Sequence, residues 1–183
     1  GTVVARDELL RFVEQIPAHV LLVMDEAYIE FLDGAADLVA LVRAGTKPNL
    51  LLMRTFSKIF GLAGLRLGYG LAHPDLITAF EKVRQPFNIN SIAQAGALAA
   101  LADTVHTHRT RENNAAGLRF FAQALAKLGL EFVPSAANFV LATSTAADVL
   151  VGTLSRDDLF GGLGNDSISG GNNGDRLFGE QGN

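Results

Sequence analysis

The spacing of apolar residues predicts alternating helices and strands in the first part of the chain. Residues 7–16 place apolar side chains on one helical face, and Pro17 ends that helix. The run 20–24 is short and wholly apolar, which is typical of a strand buried on both faces of a parallel sheet. Residues 50–53 repeat that run, and a helix over 36–44 lies between the two. This order of elements predicts an α/β domain.

Further helices and two short strands follow. A proline suits the first turn of a helix over about 74–83, and small residues over 91–102 predict another helix. A long amphipathic helix is predicted over about 107–128, closed by a glycine. Short strands are predicted over 130–133 and 138–141, where a second subdomain would begin.

The last part of the chain repeats a nine-residue unit. Glycine begins each unit, aspartate occupies the sixth position of three units, and an apolar residue occupies the eighth. The glycines at the first position are Gly152, Gly161, Gly170 and Gly179. The aspartates at the sixth position are Asp157, Asp166 and Asp175, and the apolar residues at the eighth are Leu159, Ile168 and Leu177. Three coincident periodicities favour a stacked repeat over the alternative, a flexible linker rich in glycine and asparagine.

Composition separates the same two parts of the chain. Residues 1–143 carry 13 basic and 13 acidic side chains, whereas 144–183 carry 2 and 6, so the net charge of -4 comes from the tail. The chain has no cysteine, which excludes disulfides, cysteine zinc sites and thiol catalysis. It has no apolar run of the roughly 18 residues that a membrane helix needs, and no basic patch with interleaved aromatic residues. We therefore expect neither a membrane span nor a nucleic-acid partner.

Two reactive side chains follow the predicted strands, and ligands of open α/β sheets bind beyond such strand ends. Lys58 lies between a buried run and a glycine-rich stretch, which suits it to Schiff-base formation. Asp25 would pair with the protonated ring nitrogen of an aromatic cofactor. A phenol, two hydroxyls and a guanidinium would hold the ring and its phosphate: Tyr28, Thr55, Ser57 and Arg66. Together these groups predict a pyridoxal phosphate site.

Each candidate also has a simpler structural explanation. Lys58 would be a surface lysine after a strand, Asp25 and Glu26 a helix cap or a solvated pair, and Arg66 a member of a structural ion pair. The four histidines flank predicted elements, so we interpret them as solvated rather than as metal ligands or acid–base groups: His19, His73, His106 and His108.

Four segments favour the first interpretation, because they resemble the histidinol-phosphate aminotransferase family of fold-type I, pyridoxal-phosphate enzymes. They read DEAYIEF at 25–31, TFSKIFGLAGLRLGYG at 55–70, VRQPFNIN at 83–90 and PSAANF at 134–139. The resemblance covers about residues 1–142. It implies part of the large domain of such an enzyme, together with the start of its small domain.

The resemblance also implies a role for each site residue. Lys58 would form the internal aldimine and move a proton between the substrate α-carbon and the cofactor. Asp25 would pair with the pyridine nitrogen, and Tyr28 would hydrogen-bond the ring oxygen. Thr55 and Arg66 would bind the phosphate, with Ser57 as a weaker candidate for the same group.

The same family implies a reaction and its surroundings. An amino acid, usually glutamate, gives its amine to the cofactor, which passes it to a keto acid or to imidazole-acetol phosphate. This implies small-molecule amino-acid and keto substrates, a place in histidine biosynthesis, a homodimer and a cytoplasmic location. The first residues, Gly1 and Thr2, resemble the end of the family's Asn-Pro-Thr-Gly-Thr loop, and the chain has no initiator methionine. We therefore expect an incomplete domain that binds the cofactor weakly at best and does not transaminate.

The nine-residue repeat resembles the RTX calcium-binding family, in which the apolar residue points into a parallel β-roll. Calcium takes about 6–8 oxygen ligands, so several turns must share one ion. The candidate ligands are the carbonyls of Gly162, Gly164 and Gly171 and the carboxylates of Asp166 and Asp175. We expect a short parallel β-roll with calcium and a disordered repeat tail without it.

These patterns predict a partial aminotransferase domain over 1–142, a junction over 143–151 and calcium-binding repeats over 152–183. The alternative is a non-enzymatic, secreted calcium-binding protein whose first part serves only as a scaffold. In a third interpretation the junction near Thr143 is artificial, because RTX tails are secreted whereas histidine is made in the cytoplasm.

Overall fold

The computed structural model describes residues 1–143 and four short strands at 149–151, 158–160, 167–169 and 176–178. The chain divides into two compact units. One comprises Gly1–Gly117 with Ala136–Asn138, and the other comprises Leu118–Ser135 with Phe139–Asn183. None of the described helices is long and apolar enough to cross a membrane.

Five helices lie within residues 1–143. They are α1 (Arg6–Gln15), α2 (Leu38–Ala44), α3 (Pro74–Glu81), α4 (Ser91–Ala102) and α5 (Thr104–Lys127), and two 3-10 turns lie at Ile29–Phe31 and Ala63–Leu65. All five were predicted to within a few residues. Side-chain caps mark several starts: Asp37 accepts a hydrogen bond from the Ala40 N–H at 3.1 Å, and Asn90 accepts one from the Ala93 N–H at 2.8 Å.

The first unit is built on a three-stranded sheet with β2 in the middle. Its strands are β1 (Leu22–Asp25), β2 (Leu50–Thr55) and β3 (Gly68–Ala72). β1 runs parallel to β2, and β3 runs antiparallel to it. The third strand was not predicted, because the stretch around it is rich in glycine. Glycine is disfavoured in strands but is tolerated where another backbone comes close.

One face of this sheet packs on helices. Leu50 and Leu52 of β2 are fully buried with Val13 of α1 and Leu38 of α2. The prediction that the run 20–24 is buried on both faces is wrong. Side chains alternate along β1, and Val23 is 44% exposed because it points away from the helix-covered face.

A second apolar cluster holds the segment that follows β2. Phe56, Ile59, Phe60 and Leu67 are buried against the small residues of α4. Their positions leave Ser57 and Lys58 partly exposed between buried neighbours. The packing of this segment therefore fixes where the lysine lies.

Gly68 allows β3 to approach β2 closely. It pairs with Thr55, and a Cβ built on it would lie 2.8 Å from the backbone oxygen of Arg54. We expect Gly68→Ala to lower the free energy of unfolding by about 1–3 kcal/mol, because backbone atoms must move apart. Urea denaturation measures this. Gly64→Ala is the matched control, since a Cβ there meets nothing within 4 Å. Equal stability of the two variants would contradict the prediction.

The second unit contains short strands. β4 (Glu131–Val133) and β5 (Leu141–Thr143) form an antiparallel pair. The later strands are β6 (Val149–Val151), β7 (Asp158–Phe160), β8 (Ser167–Ser169) and β9 (Arg176–Phe178). β6 pairs in parallel with β8, and β7 pairs in parallel with β9, so strands two repeats apart lie side by side. This is the pairing that a parallel β-roll requires.

Candidate functional site

The predicted site lies where two parallel strands end. Asp25 is the last residue of β1 and Thr55 is the last residue of β2. The two strands are in register, with Asp25 opposite Met53, and the Glu26 N–H continues the ladder by donating to the Met53 carbonyl at 2.8 Å. Their carboxyl ends therefore meet at one edge of the sheet, as the sequence predicted.

Asp25 faces solvent at this edge. Its Oδ1 accepts a hydrogen bond from the Ala27 N–H at 3.0 Å, which shapes the turn that leads to Tyr28. Asp25 and Tyr28 both line a cleft of about 750 Å³, together with Thr2 and Met24. A carboxylate that is exposed yet held by the turn is available to a ligand. The turn formed by residues 25–28 is called the first turn below.

Lys58 reaches the first turn from the other strand. Its Nζ lies 5.0 Å from the centroid of the Tyr28 ring, which is within the range of a cation–π interaction. The contact joins residues that are 30 positions apart in the chain. Two of the predicted site residues are thus brought together. The simpler interpretation of Lys58 as a lone surface lysine does not account for this contact.

Thr55 and Ser57 form a second turn, here residues 55–58. The Thr55 Oγ1 accepts a hydrogen bond from the Ser57 N–H at 3.0 Å and donates one to the Leu67 carbonyl at 3.5 Å. The Thr55 hydroxyl therefore shapes the turn that presents Lys58. Any contact that it makes with a ligand would use its remaining acceptor capacity.

Arg66 is exposed and has an unusual backbone. Its φ of 52° and ψ of 52° are left-handed, a conformation that few residues other than glycine adopt. One of its nitrogens, Nη1, donates to the Ala63 carbonyl at 2.8 Å. The alternative of a structural ion pair finds no support, because no carboxylate of the described residues lies within 4.0 Å of its guanidinium. Its other donors remain available to an anion.

Beneath the two turns lies a charged cluster that the sequence analysis missed. Glu26 is only 7% exposed, and its Oε2 accepts a hydrogen bond from the Arg54 Nε at 2.8 Å. The simpler alternative, in which Asp25 and Glu26 form a helix cap or a solvated pair, is therefore wrong for Glu26. The guanidinium of Arg54, which follows the apolar residues of β2, compensates its buried charge. The one signal in the sequence was an arginine next to a strongly apolar run.

Tyr69 and Glu30 complete this cluster. Tyr69 lies opposite Arg54 in the sheet. Burial lowers the pKa of Arg54, but the hydrogen bond and charge of Glu26, followed by the nearby phenol of Tyr69, outweigh it and raise that pKa. Burial raises the pKa of the Glu30 carboxyl, against the opposing effects of its own backbone hydrogen bond and of Arg54. Glu26 adds to the increase by its negative charge.

The raised pKa of Glu30 makes stability depend on pH. Because the folded protein holds this proton more tightly than the unfolded chain, the contribution of Glu30 to stability is fully present below pH 4.5 and is lost as the pH rises through the folded-state pKa. Glu30→Gln cannot ionise. Urea denaturation measures the free energy of unfolding of Glu30→Gln and of the unmodified protein. We expect the difference, variant minus unmodified protein, to be larger at neutral pH than at about pH 4.5. Exposed Glu14→Gln is the control, and a difference that does not change with pH would refute the prediction.

The histidines lie at element boundaries or on helix surfaces. The His73 ring accepts a hydrogen bond from the Asp75 N–H at 3.3 Å and so caps α3, while His106 is 3.4 Å from the Thr110 hydroxyl. Within residues 1–143 and the four later strands, no three side chains are grouped as a metal site would need. The predicted calcium ligands lie outside the described residues: Gly162, Gly164, Asp166, Gly171 and Asp175.

Comparison with known proteins agrees with this geometry. The family model for aminotransferase class I and II matches residues 1–160. The chain is 52% identical over 143 residues to histidinol-phosphate aminotransferase 2 of Ralstonia nicotianae, a match that covers 77% of this chain and 38% of that protein. It is 50% identical over 141 residues to histidinol-phosphate aminotransferase of Akkermansia muciniphila, again with 77% and 38% coverage.

A solved structure of the same kind of enzyme is also similar to this chain. The crystal structure of histidinol-phosphate aminotransferase from Sinorhizobium meliloti in complex with pyridoxal-5'-phosphate matches with a TM-score of 0.72 at 37% sequence identity. The match covers 78% of this chain and 38% of that one. The chain thus spans well under half the length of the relatives that it matches.

Proposed function

The chain belongs to the class I and II aminotransferase family, and from that premise we propose that it binds pyridoxal phosphate and takes part in the transfer of an amino group. The contact between the Lys58 ammonium and the Tyr28 ring carries the proposal. It brings the one reactive amine of the site to the strand end that bears Asp25.

The residues at this edge fit the chemical groups of the cofactor. Pyridoxal phosphate has an aldehyde that combines with amines, a ring nitrogen that draws electrons from the substrate, a ring oxygen and a phosphate. The edge offers a lysine, an exposed carboxylate, a phenol and a guanidinium with unused donors. Each group of the cofactor has a partner of suitable charge.

Two residues deal with the ring. The exposed carboxylate of Asp25 would keep the proton on the ring nitrogen by ion pairing, so that the bound ring stays electron-withdrawing. The Tyr28 hydroxyl would donate a hydrogen bond to the ring oxygen, while its ring contacts the Lys58 amine. The first turn therefore orients the cofactor and the lysine together.

Lys58 carries the chemistry of the protein. Its Nζ would be the amine that holds the cofactor aldehyde, and as a free amine it would act as the base that takes the proton from the substrate α-carbon. The second turn fixes the backbone at Lys58, because Phe56 and Ile59 on either side are buried, and the Tyr28 ring contacts the amine. An amine held in this way loses less entropy in the reaction than a free one.

The phosphate is assigned to the second turn and to Arg66. The unused donors of its guanidinium form a fork that suits phosphate oxygens. Thr55 and, as the weaker candidate, Ser57 supply hydroxyls, and the Thr55 hydroxyl can donate to phosphate only by giving up its 3.5 Å bond to the Leu67 carbonyl. The phosphate site would anchor the cofactor end that does not react.

We take the substrates from the relatives. Those with about 50% identity are histidinol-phosphate aminotransferases, so the proposed substrates are histidinol phosphate or imidazole-acetol phosphate with glutamate or 2-oxoglutarate. A place in histidine biosynthesis, a cytoplasmic location and a homodimer belong to the same proposal. That this chain by itself binds the cofactor weakly and transfers no amine stays a prediction, which a coupled assay for 2-oxoglutarate formation tests.

Trapping the cofactor tests the proposed function directly. The chain is titrated with pyridoxal phosphate, reduced with borohydride and mapped by peptide mass, which shows which of the four lysines was modified. Preferential labelling of Lys58 supports the proposal. Equal labelling of all four lysines, or none, would overturn it.

The tail supports a second, separate proposal: calcium binding by the repeats over 152–183. The observation that favours it is the parallel pairing of β6 with β8 and of β7 with β9. Far-ultraviolet circular dichroism during calcium titration, with magnesium as the control, is expected to show a gain of strand structure. The gain is expected to be absent in Asp166→Asn and Asp175→Asn. A spectrum that does not respond to calcium would exclude this role.

A further inference from the structure

The two turns of the proposed site are joined by a buried ion pair. Glu26 directly follows Asp25, and Arg54 directly precedes Thr55. Their side chains meet at 2.8 Å, with relative exposures of 6% for Glu26 and 21% for Arg54. A charge pair at this depth is costly to separate, because the remaining charge would be left without compensation. The pair therefore fixes the separation of the residues on either side of it.

Arg54 has a neighbour on each adjoining strand end. Tyr69 lies opposite it on β3, and the Tyr69 ring packs 5.5 Å from the ring of Phe56 in the second turn. Arg54 on β2 therefore lies between Glu26, which follows β1, and Tyr69 on β3. A guanidinium with neighbours on several elements has little freedom to move.

Glu30 lies near this arginine but forms no ion pair with it within 4.0 Å in the described part of the chain. It lies two residues after Tyr28, in the 3-10 turn Ile29–Phe31. Its Oε2 is buried and has no hydrogen-bond partner within the described part of the chain. Arg54 and Glu26 are the charged groups that act on it. Glu30 therefore responds to the charges of Glu26 and Arg54 without being a member of their pair.

We propose that Glu26 and Arg54 are positioning residues that hold the first turn against the second. The proposal rests on the proposed function, because the pair would set the distance from Asp25 and Tyr28 in the first turn to Thr55 and Lys58 in the second. Neither residue of the pair is assigned a contact with the cofactor. They act on it through the turns that they join.

The test without cofactor uses the two tyrosines of the chain, which 13C-ring labelling reports separately by NMR. Tyr28 reports on Lys58, and Tyr69 reports on Arg54. Lys58→Met is expected to shift the Tyr28 signal in the unmodified background. In an Arg54→Lys background, Lys58 is expected to have moved away from the Tyr28 ring. Lys58→Met should then shift the Tyr28 signal by less than half as much. An undiminished effect would overturn the proposal, whereas a merely stabilising role of Arg54 predicts no such coupling.

A second variant keeps the proposal testable if Arg54→Lys does not fold. The Tyr69 and Tyr28 signals of the unmodified protein are expected to shift together with a pH midpoint above 4.5 as Glu30 ionises. Glu30→Gln, which retains the pair of Glu26 and Arg54, is expected to abolish that transition. Exposed Glu14→Gln is expected to leave it in place. A transition confined to Tyr69 would overturn the proposal that the pair of Glu26 and Arg54 joins the two turns.

The test with cofactor separates the two proposals. The apparent Kd for pyridoxal phosphate, from borohydride labelling of Lys58, is expected to rise about tenfold in Arg54→Lys, the usual size of an effect transmitted through a supporting residue. An unchanged Kd would overturn the positioning role. If the unmodified chain takes up no cofactor, the proposed function fails, and the tyrosine signals still decide whether the cluster positions the turns.

Discussion

Lys58→Ala is expected to abolish the preferential labelling of this protein by pyridoxal phosphate and borohydride. The variant loses the only lysine that contacts a proposed cofactor residue within the described part of the chain. Labelling should fall to the level of the exposed lysines, Lys82 and Lys127. Peptide mapping and the absorbance of the reduced adduct measure both quantities. Because the side chain is partly exposed, the substitution should leave the thermal unfolding temperature nearly unchanged.

The other lysines serve as controls. Lys47 donates from its Nζ to the carbonyls of Glu14 and Ile16, each at 2.9 Å, so its amine is occupied in joining α1 to the loop before β2. It should label least. Lys82→Ala removes an exposed amine of the same chemistry and should leave the labelling of Lys58 intact. If Lys58→Ala and Lys82→Ala lower total labelling equally, the amine of Lys58 has no special environment, and the proposed cofactor site is lost.

Leu52→Ala is expected to lower the free energy of unfolding by about 3 kcal/mol, within the usual range for a buried leucine. Leu52 is fully buried in the centre of β2, where it packs with residues of α1 and α2. The substitution removes apolar contacts and leaves a cavity. A loss of this size is a large part of the stability of a small domain.

Met53→Ala is the matched control on the same strand. Met53 is the next residue and points to the opposite face, where it is 41% exposed. It should cost less than about 1 kcal/mol, since little buried area is lost. Urea denaturation of the two variants gives the comparison. Equal losses would mean that the two faces of the sheet are equally buried and that the core has been assigned to the wrong side.

Much of the fold follows from local pattern, and the departures have physical causes. The bounds of α4 match the prediction because an alanine-rich run lies between a capping asparagine and Asp103. Burial of β1 was overestimated, because an apolar run cannot show which of its faces a helix covers. β3 was missed because close backbone contact at Gly68 replaces the side-chain packing that a sequence pattern reveals.

The sequence predicted only part of the site, because residue type and position can be read from it whereas packing contacts cannot. Chemical type and position at strand ends suffice to select Asp25, Lys58 and Arg66 as candidates. They do not show that Lys58 lies over Tyr28, because that contact depends on how two turns pack. The cluster around Arg54 escaped notice since its partners are distant in sequence. A buried ion pair is apparent only once both strands are in place.

The left-handed backbone at Arg66 sets heat resistance and ligand binding against each other. At a φ of 52° glycine is free of the steric cost that an arginine bears, roughly 1–2 kcal/mol. A library of variants selected only for survival at high temperature would therefore drift toward glycine at this position. A library selected for retention of pyridoxal phosphate, if the proposed function holds, would keep the guanidinium despite its strain. One codon would then record which of the two pressures had shaped the protein.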